Sequence, residues 1–341
     1  MPTKKADSLI SFMELLHEAL QKIKGRDNDK SIIVYRGHAK SSYTFIPSLF
    51  RKDNVHIKEN EAALLHKIEA ARPAHFTANM KTLDKLVTLQ HYEFPTRLLD
   101  VTSNPLVALY FAASGLQDND DGAVIMCKVP EDMIRDFDSE IVVQLANLAN
   151  LSVTDKKNLE DFLSSEETAA NHETGKYETA PQADDYKALT NINTAGISTE
   201  KYKPQASKTK SSSGKSEAKS FSTHEANNID IMDQFRKFIK TDMPAYPDKR
   251  EPSLVELRRP VYVKPKQTNP RILAQQGAFL LFGLGENLDG ILQETITIDH
   301  SAKPGIIREL DTFAGINQGV LFPELDKFLT YTRQCARDGI I

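Results

Sequence analysis

Cysteine is scarce in this sequence, and the two cysteines form neither a pair nor a metal-ligand pattern. Cys127 lies in an apolar run and Cys335 lies near the C-terminus, with no CxxC motif. Such isolated thiols are typical of a reducing compartment, where they are buried as small apolar side chains. The nine histidines show no ligand spacing such as H-E-x-x-H, so we expect no metal and disfavour a metal hydrolase.

Long apolar runs and an excess of one charge are also missing. No stretch approaches the ~20 apolar residues that span a bilayer, and an amphipathic segment near the N-terminus replaces the apolar run of a signal sequence. The formal net charge of −4 is too small to indicate a nucleic-acid or membrane surface as a partner. We therefore expect a cytoplasmic protein with no membrane partner.

Large apolar residues nearly disappear between Ser165 and Asn227, where Ser, Thr, Lys, Ala, Glu and Asn dominate. Such a segment cannot bury enough apolar surface to offset the entropy of ordering it, so we predict a long flexible insertion at 165–227. Its Lys-Ser-rich part at 208–215 lacks the G-x-x-x-x-G-K-[ST] spacing of a phosphate-binding loop. The predicted organisation is one domain in two parts, 1–164 and 228–341, separated by this insertion.

Apolar periodicity on both sides of the insertion predicts an α+β fold. The 341 residues, 40% of them hydrophobic, suffice for a sizeable core. We expect a small mixed or antiparallel β-sheet flanked by helices. The predicted helices lie at about 9–23, 58–72, 82–90, 106–114, 139–149, 155–163, 229–239, 304–313 and 323–333. The predicted strands lie at about 31–37, 122–130, 261–263, 277–283 and 294–298.

The densest group of polar side chains lies in the stretch 89–105. Pro95 prevents the preceding helix from continuing, and the resulting turn is expected to expose Thr96 and Arg97. Asn104 followed by proline predicts the start of a new helix, whose free amides would form an anion site together with Arg97 and Thr102. An internal salt bridge between Arg97 and Asp100 is the alternative to this ligand role.

Two further stretches place polar groups at the edge of a predicted strand. Arg36 ends the first strand, where an arginine often forms only a surface salt bridge. Gly37 follows it and permits a sharp turn or the close approach of a ligand. Gln275 and Gln276 come after a turn rich in amides and lead through Gly277 into a buried strand.

These stretches together resemble the FRG domain family of bacterial and phage proteins, which is named for an aromatic-Arg-Gly motif. Val101 stands where the family usually has tryptophan, and Glu93 stands at a position that is often small. The matching motifs are Tyr35-Arg36-Gly37, Leu89-Gln90-His91-Tyr92, Pro95-Thr96-Arg97-Leu98-Leu99-Asp100, Asn104 to Ala112, Arg271-Ile272, Gln275 to Phe279, Gly315-Ile316 and Leu321-Phe322-Pro323-Glu324-Leu325.

The order of these motifs is similar to that of ADP-ribosyltransferases, which hold NAD in a split β-sheet. This resemblance implies that Arg36 and Arg97 hold phosphate, that His91 and Tyr92 shape the nicotinamide pocket, and that Gln276 lies at the ribose. Gly37, Asp100, Thr102 and Gln275 complete the implied NAD site. The glutamate that these transferases commonly place near the late strand is missing, so Glu93 or Asp100 substitutes for it or catalysis is absent.

The resemblance thus implies an NAD-consuming ADP-ribosyltransferase or NAD glycohydrolase that serves as a toxin or phage-defence effector. NAD would be its substrate, and a protein or nucleic acid its acceptor. The alternative is a non-catalytic module that binds a nucleotide or nucleic acid through Arg36, His91 and Arg97. A protein with a purely structural role would instead leave these three side chains on separate surfaces. The oligomeric state is not predicted.

Overall fold

The computed structural model is a mixed α/β fold built on one seven-stranded sheet. It describes residues 5–23, 30–115, 119–173, 223–248, 250–264, 266 and 269–337. The strands are β1 (Ile32–His38), β2 (Leu98–Thr102), β3 (Gly122–Val129), β4 (Ile134–Asp136), β5 (Val261–Lys264), β6 (Gly277–Leu281) and β7 (Leu292–Ile298). Their order is β4-β5-β6-β2-β1-β3-β7, and all neighbours are antiparallel except the parallel pair β4 and β5.

Helices flank this sheet. They are α1 (Leu9–Ile23), α2 (Val55–Glu59), α3 (Glu61–Ala71), α4 (Thr82–His91), α5 (Pro105–Ala113), α6 (Glu140–Asn147), α7 (Val153–Glu173), α8 (Thr223–Asp242), α9 (Leu254–Arg258), α10 (Pro270–Ala274), α11 (Lys303–Ala314), α12 (Gln318–Leu321) and α13 (Leu325–Arg337). The predicted α+β class and the helix-flanked sheet are confirmed. None of the helices in these ranges is both long and apolar enough to cross a membrane.

The sheet is nearly split between β1 and β2. These neighbours share a single register pair, Tyr35 with Thr102, whereas β1 and β3 stay paired from Ile32 to His38. On the other side, β2 pairs with β6 along its whole length, from Leu98 to Thr102. The sheet therefore consists of two halves, β4-β5-β6-β2 and β1-β3-β7, which diverge from one narrow point of contact.

Two hydrophobic cores lie side by side on one face of the sheet and follow the same division. One core packs α4, α6 and α8 on β2, β5 and β6, through residues such as Leu98 and Phe279. The other packs α1, α5 and α11 on β1, β3 and β7, through residues such as Tyr35 and Met126. A third core covers the opposite face, which carries the alternate residues, such as Val34 and Leu99. The boundary between the first two cores thus lies over the split.

Both cysteines are buried, as the sequence predicts. Cys127 lies on β3 with no solvent exposure, and burial raises the pKa of its thiol to about 12. A thiol in that state is protonated and chemically inert.

The predicted flexible insertion falls mostly at 174–222, outside the described residues. Helix α7 continues to Glu173 and helix α8 begins at Thr223, so backbone helix extends into the predicted insertion from both sides. Strands β1 to β4 precede this segment and β5 to β7 follow it. The two groups are interleaved in one sheet, where β5 and β6 lie between β4 and β2. The exact boundaries at 164 and 228 stay a prediction.

Candidate functional site

A cleft of about 260 Å³ lies over the split, on the face that carries the two neighbouring cores. Helices α4, α5 and α10 and strands β1, β2 and β6 form its walls. Of the nine site residues expected from the sequence, six line it: Arg36, Gly37, His91, Asp100, Thr102 and Gln275. The other lining residues are Tyr35, Val87, Gln90, Val101, Val107, Phe111, Asn269, Arg271, Ile272, Gly277, Ala278 and Phe279.

His91 is the last residue of α4 and reaches the cleft because the helix stops there. Glu93 follows in a left-handed conformation with φ of 62°, and Pro95 cannot continue the helix. The His91 Nε2 atom lies 3.6 Å from the Glu324 carboxylate. The end of this helix therefore places the His91 imidazole in the lining of the cleft.

Arg36 bridges the two halves of the sheet where their backbones diverge. Its Nη1 donates to the Asp100 carbonyl oxygen at 2.5 Å, and its Nε donates to His38 Nε2 at 3.1 Å. Burial lowers the pKa of this guanidinium from its ordinary value, and the nearby Asp100 opposes that shift. The side chain therefore supplies hydrogen bonds that the β1–β2 ladder lacks, and it also forms a salt bridge with the half-exposed Asp100 carboxylate.

Asp100 supplies a carboxylate to the cleft. Its Oδ2 accepts a hydrogen bond from Gln90 Nε2 at 2.8 Å and lies 3.7 Å from Arg36 Nη1. Gln90 in turn accepts from the Thr96 hydroxyl at 2.6 Å. Gln90 and Arg36 thus hold the Asp100 carboxylate from two directions.

Several donors of the predicted anion site at the start of α5 form hydrogen bonds within the protein instead, and the site stays a prediction. Asn104 accepts from the Leu106 amide at 2.9 Å and so caps the helix, as expected from the sequence. Thr102 donates its hydroxyl proton to the Gln275 carbonyl and accepts from the Asn104 amide. The Ser103 amide donates to the Gln276 carbonyl oxygen at 3.1 Å. Thr102 therefore ties β2 to the α10–β6 junction.

Gly37 lies within β1, and it permits the close approach of a helix instead of a turn. A Cβ at this position would lie 1.9 Å from the Ala108 carbonyl oxygen and 2.7 Å from the Ala112 amide nitrogen. Only glycine lets α5 pack at this distance from the strand.

The expected exposure of Thr96 and Arg97 is wrong. Both side chains are buried, at 1% and 2% relative exposure. Arg97 pairs with Glu61 through Nε at 3.0 Å and Nη2 at 2.5 Å, and its Nη1 donates to the Phe282 and Gly283 carbonyls. Arg97 does not line the cleft, and its internal salt bridge is formed with Glu61 instead of Asp100. The segment folds inward because Leu98 to Thr102 form a central strand that the sequence analysis missed.

Tyr92 and Gln276 also lie outside the cleft lining. The Tyr92 side chain is 64% exposed and contacts the edge of the His91 ring. Gln276 has a φ of 46° at the junction of α10 and β6, where its carbonyl accepts from Ser103. Its catalytic role at a ribose therefore finds no geometric support in this cleft. Glu93, one of the two candidate acids, is exposed and likewise does not line the cleft.

Arg271 and Glu324 are two polar residues at the cleft for which the sequence motifs indicate no role. The predicted amide-rich turn is the short helix α10, which Asn269 caps by accepting from the Arg271 amide at 2.9 Å. Arg271 lines the cleft, and its guanidinium lies 4.8 Å from the Phe322 ring. Both Arg271 and Glu324 belong to the motifs matched above, and Asn269-Pro270 repeats the cap signature of Asn104-Pro105. These signals were available in the sequence.

One group of possible metal ligands occurs among the described residues, away from the cleft lining. Asp121, Asp299 and His300 offer ligand atoms within 4.8 Å of one another. The Lys5 ammonium lies 2.7 Å from Asp121, and the Asp299 carboxylate accepts from the Ser301 amide. These partners account for both carboxylates without a metal.

The fold and the cleft define a mixed α/β protein with a cleft at a split in its sheet. Residues 31–121 match the FRG domain family, so the chain contains an FRG domain. The matched range contains Arg36, His91 and Asp100, whereas Arg271 and Glu324 lie beyond it. No curated protein and no solved structure matches the chain. The family match carries no activity with it.

Proposed function

We propose that this FRG domain protein is an NAD-consuming enzyme, an ADP-ribosyltransferase or NAD glycohydrolase, that acts as a toxin or phage-defence effector. The observation that supports it is the convergence of Arg36, His91, Asp100 and Arg271 on one cleft at the split of the sheet. ADP-ribosyltransferases hold NAD at such a split, so the place of the cleft agrees with the order of the motifs.

The residue types that line the cleft suit a dinucleotide. Arg271 offers a guanidinium for the pyrophosphate, in the role that the sequence analysis gave to Arg97. Tyr35, Phe111 and Phe279 offer aromatic surface to the nicotinamide ring. Burial raises the pKa of the Tyr35 phenol, so this ring stays neutral at physiological pH.

Asp100 supplies the catalytic carboxylate in this proposal. The bond between ribose C1′ and the nicotinamide nitrogen breaks, and its electron pair leaves with nicotinamide. The ribose becomes an oxocarbenium-like cation, which a nearby carboxylate stabilises. Water or an acceptor group then attacks C1′ and loses its proton, which gives free ADP-ribose or an ADP-ribosylated product. His91, at the same cleft, is the candidate to receive that proton.

The proposal is tested by incubating the purified protein with NAD, alone and with protein, DNA and RNA acceptors. Mass spectrometry should detect nicotinamide release, and labelled NAD should separate free ADP-ribose from a modified acceptor. Asp100→Asn and Arg271→Ala should each lower turnover about a hundredfold or more. Arg258→Ala is the control, because Arg258 pairs with Glu160 in a half-exposed salt bridge and does not line the cleft. Intact NAD under all conditions, with no cellular effect of Asp100→Asn, would refute the proposal.

A second candidate is a non-catalytic module that binds a nucleotide or nucleic acid. It is favoured by the internal pairing of the polar groups, since Asp100 already accepts from Gln90 and Arg36 already donates to two partners. Isothermal titration calorimetry with NAD, ADP-ribose and single-stranded RNA distinguishes the two functions. Tight binding of intact NAD without nicotinamide release supports the binding module.

A further inference from the structure

The segment Leu321–Glu324, which runs from the last residue of α12 to the start of α13, forms a wall behind one side of the cleft. We call it the C-terminal wall. Its Phe322 ring meets the edge of Phe111 at 6.0 Å and lies under the Arg271 guanidinium. Gln275 Nε2 donates to the Leu321 carbonyl oxygen at 3.0 Å. Three cleft-lining side chains therefore rest on this segment, although it lies outside the matched family range.

Glu324 is the charged residue of this wall, and its surroundings are unusual. Its carboxylate lies 3.6 Å from His91 Nε2 and 4.0 Å from Arg271 Nη1. Both carboxylate oxygens are buried and have no hydrogen-bond partner in the described part of the protein. His91 Nδ1 is also buried and lacks a partner there. Three unsatisfied buried atoms thus gather where the wall meets the cleft.

The Glu324 side chain is 26% exposed, and because its oxygens accept no hydrogen bond, only the two long ion pairs compensate its charge. Charge-assisted hydrogen bonds normally span about 2.7–2.9 Å between donor and acceptor. The distances from His91 Nε2 and Arg271 Nη1 to the Glu324 carboxylate exceed this by roughly 1 Å. Hydrogen bonds of a ligand site are often this long before the ligand binds, and they shorten in the complex. If both distances shortened by that amount, His91 Nε2 and Arg271 Nη1 would each donate a hydrogen bond to Glu324.

We propose that Glu324 is a positioning residue of the cleft, an inference that rests on the proposed function. Its carboxylate accepts N–H donors from His91 and Arg271 and holds both side chains toward the bound nucleotide. Because the carboxylate faces Nε2, it favours the tautomer with the proton on that nitrogen, as carboxylates paired with histidines do elsewhere.

Stability separates this role from a purely structural one. Glu324→Gln removes the charge but breaks no hydrogen bond of the ligand-free protein, so its melting temperature should equal or exceed that of the wild type. The affinity for ADP-ribose, measured by calorimetry, should fall about tenfold or more, which is the loss expected for a charge-assisted hydrogen bond. Glu286→Gln is the matched control, since Glu286 forms an exposed pair with Lys58 at 2.6 Å.

A double-mutant cycle with His91→Gln tests whether Glu324 acts through His91. The double variant should bind ADP-ribose only slightly more weakly than His91→Gln alone. The remaining difference is the part of the Glu324 effect that acts through Arg271. Full additivity of the two losses would overturn the positioning role. So would an unchanged affinity in Glu324→Gln, or a large drop in its melting temperature.

The tautomer of His91 gives a readout that needs no ligand. Long-range ¹⁵N–¹H spectra of histidine-labelled protein should show a hydrogen-bonded Nε2–H form of His91 in the wild type, and the ring nitrogen shifts should change in Glu324→Met, which lacks an acceptor. An identical His91 signal in both proteins would overturn the inference. If ADP-ribose does not bind the wild type, the proposed function fails, and this spectrum alone decides whether Glu324 positions His91.

Discussion

Replacing Arg97 should destabilise the fold, although the sequence indicates a ligand role for it. The guanidinium is 2% exposed and donates to both oxygens of Glu61 and to the carbonyls of Phe282 and Gly283. Lys156 also donates to Glu61, at 2.6 Å. Although burial alone would raise the pKa of Glu61, the two cations hold it below its ordinary value. The carboxylate is therefore ionised in the interior.

The size of the expected loss of stability follows from the groups that Arg97→Ala leaves without a partner. Removing one partner of a buried ion pair costs about 3–5 kcal/mol, because the remaining charge and acceptors stay buried. Lys156 still neutralises Glu61, so we expect the lower end, about 3 kcal/mol. At roughly 2–3 °C per kcal/mol for a chain of this size, the melting temperature should fall by about 6–9 °C. Arg97→Lys should also be destabilising, because an ammonium cannot reproduce the forked contacts.

Differential scanning calorimetry and NAD binding on the same preparations provide the assay. Arg258→Ala is the control, because a half-exposed pair contributes about 1 kcal/mol or less. Below its melting temperature, Arg97→Ala should bind NAD like the wild type. An unchanged melting temperature together with lost binding would show that Arg97 is a ligand residue and that the reasoning from burial is wrong.

Two further predictions concern strand β1. Gly37→Ala should lower the free energy of unfolding by about 3 kcal/mol or more in urea titrations, because its Cβ would overlap the Ala108 carbonyl oxygen. The matched change Gly305→Ala, in helix α11 with no neighbouring atom within 4 Å, should stabilise by up to ~1 kcal/mol, and equal effects at both sites would contradict the packing argument. His38 is 3% exposed, and burial together with Arg36 lowers its pKa to about 3, so the folded protein keeps it neutral. Below pH ~6.5 the unfolded chain therefore binds one more proton than the folded protein. The contribution of His38 to stability is complete above that pH. It should be lost by up to about 1.4 kcal/mol per pH unit as the pH falls toward 4. Urea titrations at several pH values should show a flatter profile for His38→Gln, and identical slopes would refute the assignment.

Local signals in the sequence predicted the elements that need no distant partner. The β-branched run before Arg36 forms β1, Asn104-Pro105 starts α5, and the helix ending near Gly315 is α11, with that glycine in a left-handed cap. Each of these signals acts within a few residues, through side-chain shape, a cap or a backbone conformation. The prediction failed for α10, where the same Asn-Pro signature was read as a turn.

Strand β2 shows why the rest could not be predicted. Leu98 to Thr102 follow a proline turn and carry Asp100 in their middle, so they do not alternate like an ordinary strand. They form a strand because β6, far away in the chain, pairs with all five residues. That pairing draws Arg97 into the interior, where Glu61 from α3 neutralises it. No local pattern distinguishes such a buried arginine from one exposed on a loop.

The sequence by itself determined the α+β class, most helices and strands, the FRG motifs and six residues of the cleft. Only the tertiary structure decided that Arg97 stabilises the interior, that Arg36 bridges a split sheet and that Glu324 lies beside His91. The physical reason is that helix caps and apolar periodicity act between near neighbours along the chain. The partner of a charge is instead set by strand pairing and packing between segments that the sequence keeps far apart.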